Sequence, residues 1–81
     1  MKMNRIRIIA DGYGTSDYFY FESSLSAKEN AKIAEAFYKA KIKDYSKDSK
    51  KLFNKIKKDL GYKDEVNYIE LDNTKEFTFS W

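Results

Sequence analysis

The sequence predicts a small α+β domain with the element order ββααββ, in which a four-stranded antiparallel sheet is covered on one face by two helices. Three observations support this fold. Short segments near both ends of the chain alternate apolar and polar residues, as half-buried strands do. The middle of the chain repeats apolar residues at helical spacing. A capping box marks the point where this helical stretch begins.

The first two strands are predicted at Met3–Ala10 and Asp17–Ser23, joined by a turn over 11–16 that contains two glycines. Successive strand residues point to opposite faces of a sheet. The residues that this alternation assigns to the buried face are Ile6, Ile8, Phe19 and Phe21. The residues that it assigns to the other face are Arg5, Arg7, Tyr18 and Tyr20.

We predict a register for this hairpin in which the numbers of paired residues sum to 27. The resulting pairs are Ile8 with Phe19, Ile6 with Phe21, Arg7 with Tyr20, and Arg5 with Glu22. This register satisfies both faces, because it gives two apolar pairs, a cation–π pair and an ion pair.

The two helices are predicted in the middle of the chain. Ser26 and Glu29 form the capping box of a first helix that runs to about Lys43. After a break, a second helix spans about Lys47–Leu60 and is capped by Gly61. The predicted apolar stripes contain Ile33, Ala34, Phe37 and Tyr38 in the first helix and Ser49, Leu52, Phe53, Ile56 and Leu60 in the second.

A second hairpin is predicted from Glu65–Leu71 and Phe77–Trp81. The alternation of the last strand orients this hairpin so that Ile69 and Leu71 face the core, and Tyr68 joins Arg5 and its neighbours on the opposite face. The predicted core contains Phe19, Phe21, Phe37, Leu52, Phe53, Ile56, Ile69, Phe77 and Phe79, with Trp81 as a weaker member at the terminus.

The composition restricts the possible functions. With 81 residues, the chain is expected to form a single domain, 1–81. It contains no cysteine and no histidine, which leaves out disulfides, thiolate zinc sites and histidine-activated nucleophiles. No apolar run is long enough for a membrane span or a signal peptide. We therefore expect a soluble cytoplasmic protein that is not an enzyme and uses no cofactor or metal.

The charge is unevenly distributed along the chain. Although the net charge is only +3, the segment 39–58 carries nine lysines against two aspartates. Such a segment could contact a nucleic-acid backbone or an acidic protein, or it could be a solvated face that reflects compositional bias. The candidate basic patch contains Lys39, Lys43, Lys47, Lys50, Lys51, Lys55 and Lys58, with Lys41 and Lys57 nearby in sequence.

The face of the sheet opposite the helices is the main candidate site. Arginine and tyrosine are favoured anchors of protein interfaces, and both can also stack on nucleobases. On a purely structural interpretation, the same residues form cross-strand pairs on a wet surface. The candidate partner-binding residues are Arg5, Arg7, Tyr18, Tyr20 and Tyr68, together with Tyr13 at the tip of the first turn.

The function predicted from these observations is a small binding protein, either an inhibitor or an adaptor, that occludes part of a protein partner. Several phage-encoded inhibitors of bacterial defence enzymes have this general build, which is an analogy of size and architecture. One alternative is a nucleic-acid-binding module that uses the arginine–tyrosine face or the lysine-rich helices. Another is a homodimer formed through the open sheet face, so the chain is expected to be a monomer or a homodimer.

Overall fold

The computed structural model describes residues 1–10, 15–70 and 79–80. In chain order they form β1 (Lys2–Ala10), β2 (Thr15–Ser23), α1 (Ala27–Lys43), α2 (Ser49–Asp59) and β3 (Val66–Ile69). The strands make an antiparallel sheet in the order β1-β2-β3, with β2 in the middle. The predicted α+β class, the antiparallel sheet, the two helices and the break between the helices are thus confirmed.

The predicted fourth strand, Phe77–Trp81, lies mostly outside the described residues, as do Leu71 and residues 11–14 of the first turn. Phe79 and Ser80 are described, and neither belongs to a strand. The side chain of Phe79 is 90% exposed, so its predicted place in the core is wrong. Because Phe79 is not paired into the sheet, the described part of the molecule does not cover its ring.

The register of the first hairpin is shifted by two residues from the predicted one. Ile6 lies opposite Phe19, and Arg5 lies opposite Tyr20. The ladder runs from a pair between Lys2 and Ser23 to a pair between Ala10 and Thr15. An even shift leaves every side chain on the face predicted for it. The predicted faces of β1 and β2 are therefore confirmed, although the predicted pairs are wrong.

The core fills the space between the sheet and the helices. The Phe37 ring of α1 packs against Phe19 of β2 and Phe53 of α2, with ring centroids 5.0 and 6.1 Å apart. Phe21 also packs on Phe53, at 5.3 Å. Phe19 is half-buried at the margin of this cluster. The fully or almost fully buried apolar residues are Ile6, Ile8, Phe21, Ile33, Phe37, Leu52, Phe53, Ile56 and Val66.

The faces of β3 are the reverse of the prediction. Tyr68 lies opposite Phe21 on the helix-covered face, and Ile69 lies opposite Tyr20 on the other face. The buried Val66 explains this orientation, because it lies opposite the buried Ser23 and sets the alternation of the strand. The predicted orientation of β3 rested on the alternation of the last strand, and that alternation does not determine the face of Val66.

Local hydrogen bonds define the ends of the helices. In the predicted capping box, the Glu29 amide donates to Ser26 Oγ (3.2 Å), and the Ser26 amide donates to Glu29 Oε1 (3.3 Å). α2 ends with Gly61 at φ +85°, a left-handed conformation that suits glycine. The Gly61 amide donates to the carbonyl of Lys58, and the Tyr62 amide donates to that of Lys57.

Two predicted stripe residues are more exposed than expected. Leu60 is 45% exposed and Tyr38 is 44% exposed. Leu60 is the C-cap of α2, where the chain turns away from the core. Tyr38 follows the buried Phe37 and therefore points about 100° away from it around the helix axis. Within the described ranges, no helix is both long and apolar enough to cross a membrane.

Candidate functional site

The side of the sheet that faces away from the helices, called the outer face below, is uncovered in the described structure. Met3 and Ile9 are 61% and 59% exposed, and Tyr18 is 43% exposed. Tyr20 and Ile69, which lie near the middle of this face, are half-buried. The residues of the outer face are Met3, Arg5, Arg7, Ile9, Ser16, Tyr18, Tyr20, Glu22, Asn67 and Ile69.

The two arginines of β1 flank a single tyrosine ring on β2. The guanidinium carbon of Arg5 lies 5.0 Å from the centroid of the Tyr18 ring, and that of Arg7 lies 5.9 Å from it. These distances are within the range of cation–π attraction. The Nε of Arg7 also donates a hydrogen bond to Ser16 Oγ at 3.1 Å. The planar groups are therefore held close to the sheet.

Among the described residues, neither arginine has an acidic partner. The predicted ion pair between Arg5 and Glu22 is wrong, because the shifted register places Glu22 opposite Met3. The carboxylate of Glu22 instead accepts a hydrogen bond from the side-chain amide of Asn67 (3.4 Å). The centre of the outer face thus carries two positive charges next to apolar and phenolic surface.

The structure assigns the predicted tyrosines to different places. Tyr18 and Tyr20 lie on the outer face, as predicted. Tyr68 does not: its ring packs on Phe53, with centroids 5.4 Å apart, and burial raises the pKa of its phenol. Tyr68 therefore packs against the core and does not belong to the outer face. Tyr13 lies outside the described residues.

Met3 and Ile69 are two apolar members of the outer face that sequence reasoning missed. The signal for Met3 was available, because the alternation that places Arg5 outside also places Met3 outside. The face of Ile69 depends on which residue of β2 lies opposite β3. That is a long-range relationship, which the local pattern does not contain.

The structure divides the predicted basic patch. Lys39 forms an ion pair with Glu35 (2.9 Å), and Lys57 donates to the side-chain oxygen of Asn67 (3.4 Å). Lys41 is buried. These three lysines therefore have contacts of their own, which distinguish Lys39 from the other predicted patch residues. The lysines that remain exposed on α2 and before it are Lys43, Lys47, Lys50, Lys51, Lys55 and Lys58.

A polar cleft of about 520 Å³ lies between the Ser16–Tyr20 edge of β2 and the start of α2. Two of its carboxylates have structural roles. Asp17 accepts a hydrogen bond from the hydroxyl of Tyr45, and Asp48 accepts one from the Lys51 amide as the N-cap of α2. In the part of the chain that the structure describes, no three acidic side chains converge as they would to hold a metal ion.

No protein-family model matches this chain. Comparisons with curated proteins and with solved structures likewise give no match.

Proposed function

We propose that this chain is a non-enzymatic binding protein that covers part of a protein partner with its outer face. The observation that carries the proposal is the pair of arginines around Tyr18, which lack an acidic partner in the described structure and are surrounded by exposed Met3 and Ile9. Aromatic, methionine and arginine side chains are the residues that protein interfaces favour. An adaptor and an inhibitor would both use such a surface.

The charge of the outer face specifies the chemistry of the partner. If an apolar surface covered Arg5 and Arg7, it would remove two positive charges from water without compensation. A partner that presents one or more carboxylates, surrounded by apolar groups, avoids this cost and can bind a guanidinium in a bidentate manner. We therefore expect the partner to contribute aspartate or glutamate at the centre of the interface.

The two alternatives fit this face less well. A self-complementary dimer would bring together two copies of a face whose centre carries Arg5 and Arg7, while its carboxylate, Glu22, lies toward one end, opposite Met3. A nucleic acid would bind this face by stacking a base on Tyr18, but the Arg5 guanidinium already lies over that ring and occupies one stacking surface. A protein surface with carboxylates and apolar groups brings no like charge to the arginines and does not need to stack on the Tyr18 ring.

The test uses two matched double variants. Arg5→Ala/Tyr18→Ala removes one cation and one phenol from the outer face, and Lys28→Ala/Tyr38→Ala removes the same two groups from α1. Tyr38 and Tyr18 are 44% and 43% exposed, so the two losses are comparable. Affinity capture with the parent protein identifies candidate partners. Biolayer interferometry with each purified candidate then measures Kd for the parent and for both variants.

We expect the outer-face variant to bind at least about 30-fold more weakly, as truncation of interface anchors does. The α1 variant should bind within about threefold of the parent, since substitutions away from an interface have little effect. Equal losses in the two variants, or none, would contradict the proposal. Light scattering on all three proteins tests self-association: a dimer of the parent that the outer-face variant loses would replace the partner with a second copy of the chain.

A further inference from the structure

The solvent side of α2 carries a row of lysines, which we call the lysine ridge. The orientation of the helix is fixed by three buried residues, Leu52, Phe53 and Ile56, which face the sheet. Residues on the opposite side of the helix must then face solvent. The lysine ridge consists of Lys51, Lys55 and Lys58, which follow one another at spacings of four and three residues.

Among the described residues, no lysine of the ridge forms an ion pair. The one ion pair there joins Lys39 to Glu35 on α1 and does not involve α2. Asp48 is bound to the backbone amide of Lys51 as the N-cap. Lys47 joins Lys51 and Lys55 around a shallow groove of about 260 Å³, in which three lysines outnumber one carboxylate, that of Asp48.

We propose that the lysine ridge binds the phosphate backbone of a nucleic-acid duplex without reading its sequence. From Lys51 to Lys58 the helix rises about 10 Å. One strand of a duplex carries about three phosphates over that length, which is one for each lysine of the ridge. Ammonium groups neutralise phosphates as point charges, whereas base reading often uses the planar, bidentate guanidinium of arginine, and α2 contains no arginine.

An acidic protein fits this surface less well than a polyanion. The apolar residue next to the ridge, Leu52, is only 7% exposed and offers no anchor to a protein partner. A protein interface without a buried apolar or aromatic centre has few sources of affinity. Binding to a nucleic-acid backbone needs none, because it is driven by the release of counterions.

The lysine ridge and the outer face lie on opposite sides of the molecule, separated by the core. The buried residues of α2 point toward the sheet, and the outer face is the far side of that sheet. A duplex on the ridge therefore leaves the outer face free for a protein. This inference adds a second ligand to the proposed function and does not depend on it.

The test measures binding to a short fluorescein-labelled DNA duplex by fluorescence anisotropy at several salt concentrations. Two triple variants lower the net charge equally: Lys51→Gln/Lys55→Gln/Lys58→Gln on the ridge, and Lys28→Gln/Lys32→Gln/Lys63→Gln elsewhere. Glutamine is a good helix former, so both variants should fold, and circular dichroism melts verify this. Arg5→Ala/Arg7→Ala tests the outer face in the same assay. A labelled polyglutamate provides an anion without phosphate.

We expect the parent to bind the duplex at about 50 mM salt, with an affinity that falls steeply as salt rises. The ridge variant should lower the slope of log Kd against log salt concentration by about 2 to 3. The control triple and the outer-face variant should have a slope and an affinity within about twofold of those of the parent. The inference is overturned by absence of binding at low salt, by equal losses in the two triples, by loss in the outer-face variant, or by polyglutamate binding as tightly as DNA.

Discussion

The hydroxyl of Tyr45, in the loop between the helices, donates a hydrogen bond to the carboxylate of Asp17 on β2. Beneath it lies the buried Lys41, whose ammonium is 5.1 Å from the Tyr45 ring and donates to the carbonyl of Lys47 at 2.6 Å. Residues 28 positions apart in the chain are joined in this way. The loop is therefore attached to the sheet by polar contacts.

Replacing Tyr45 by phenylalanine should lower the free energy of unfolding by about 1 kcal/mol, because it removes one hydrogen bond and keeps the ring over Lys41. Burial and the bond to Asp17 raise the pKa of Tyr45 from 10.0 to about 12. The stabilisation from this phenol is complete below pH 10 and is lost as the pH rises toward 12.

Urea unfolding of the parent and of Tyr45→Phe between pH 8 and pH 12 measures this dependence. The variant should lose less stability over the alkaline range than the parent. Part of the decrease in stability at alkaline pH should remain in the variant, because the pKa values of Tyr62 and Tyr68 are also raised. Parallel curves for the two proteins would show that the phenol of Tyr45 does not stabilise the fold.

Among the rings that the structure describes, Phe53 packs on the largest number of others, namely Phe21, Phe37 and Tyr68. Phe53→Ala should therefore cost about 3–5 kcal/mol in unfolding free energy, which is a large fraction of the stability of a small domain. Chemical denaturation measures the loss. Leu60→Ala is the control and should cost much less, because Leu60 is 45% exposed. Similar losses in both variants would mean that Phe53 is not at the centre of the core.

Ser26→Ala should destabilise the protein by about 1 kcal/mol, because the first turn of α1 loses its cap. In the parent, the Ser26 side chain, the Tyr62 hydroxyl and the Ser26 amide hydrogen-bond to Glu29 and lower the pKa of its carboxyl. The stabilisation from Glu29 is thus present above pH 4.5 and lost as the pH falls below that value. Denaturation at pH 7 and at pH 3 should show that the free energy of unfolding decreases less on acidification in Ser26→Ala than in the parent. A larger decrease in the variant would contradict the stabilising role of the Glu29 carboxylate.

The register of the first hairpin can be tested by cross-linking, because the native chain contains no cysteine. Arg7 lies opposite Tyr18. Directly opposite side chains have Cβ atoms about 4.5–5.5 Å apart, whereas diagonal neighbours are about 7–8 Å apart. A disulfide requires about 3.5–4.5 Å, so only the opposite pair can close with a small adjustment.

Mild oxidation should therefore form an intramolecular disulfide in Arg7→Cys/Tyr18→Cys and little or none in Arg7→Cys/Tyr20→Cys. Non-reducing electrophoresis and intact mass report the bond. Preferential closure of the second variant would instead support the register whose paired numbers sum to 27.

The parts of the fold that local rules determine could be predicted from the sequence, and the parts that depend on distant partners could not. The Ser26 cap and the two faces of the first hairpin involve neighbouring residues, and both are as predicted. The alternation of side chains has a period of two, so it cannot distinguish registers that differ by two residues. The orientation of β3 depends on Val66 meeting the core, a contact that the local pattern does not reveal.

The candidate site was predictable to the same extent. The outward position of Arg5 and Arg7 follows from alternation, but their lack of an acidic partner follows from the register. Likewise, sequence places the lysines on helices, whereas only the packing shows that Lys41 is buried and that Lys39 is paired with Glu35.

The alternation along the central strand β2 has a consequence for how the sequence of this protein can evolve. Tyr18 and Tyr20 alternate with Phe19 and Phe21 along the same stretch of backbone, yet the tyrosines face outward and the phenylalanines face the helices. Substitutions at the two sets therefore have separate effects, since the phenylalanines pack with the core and the tyrosines form part of the outer face. A lineage that keeps the phenylalanines can vary the tyrosines, and with them the chemistry of the outer face, on an unchanged scaffold.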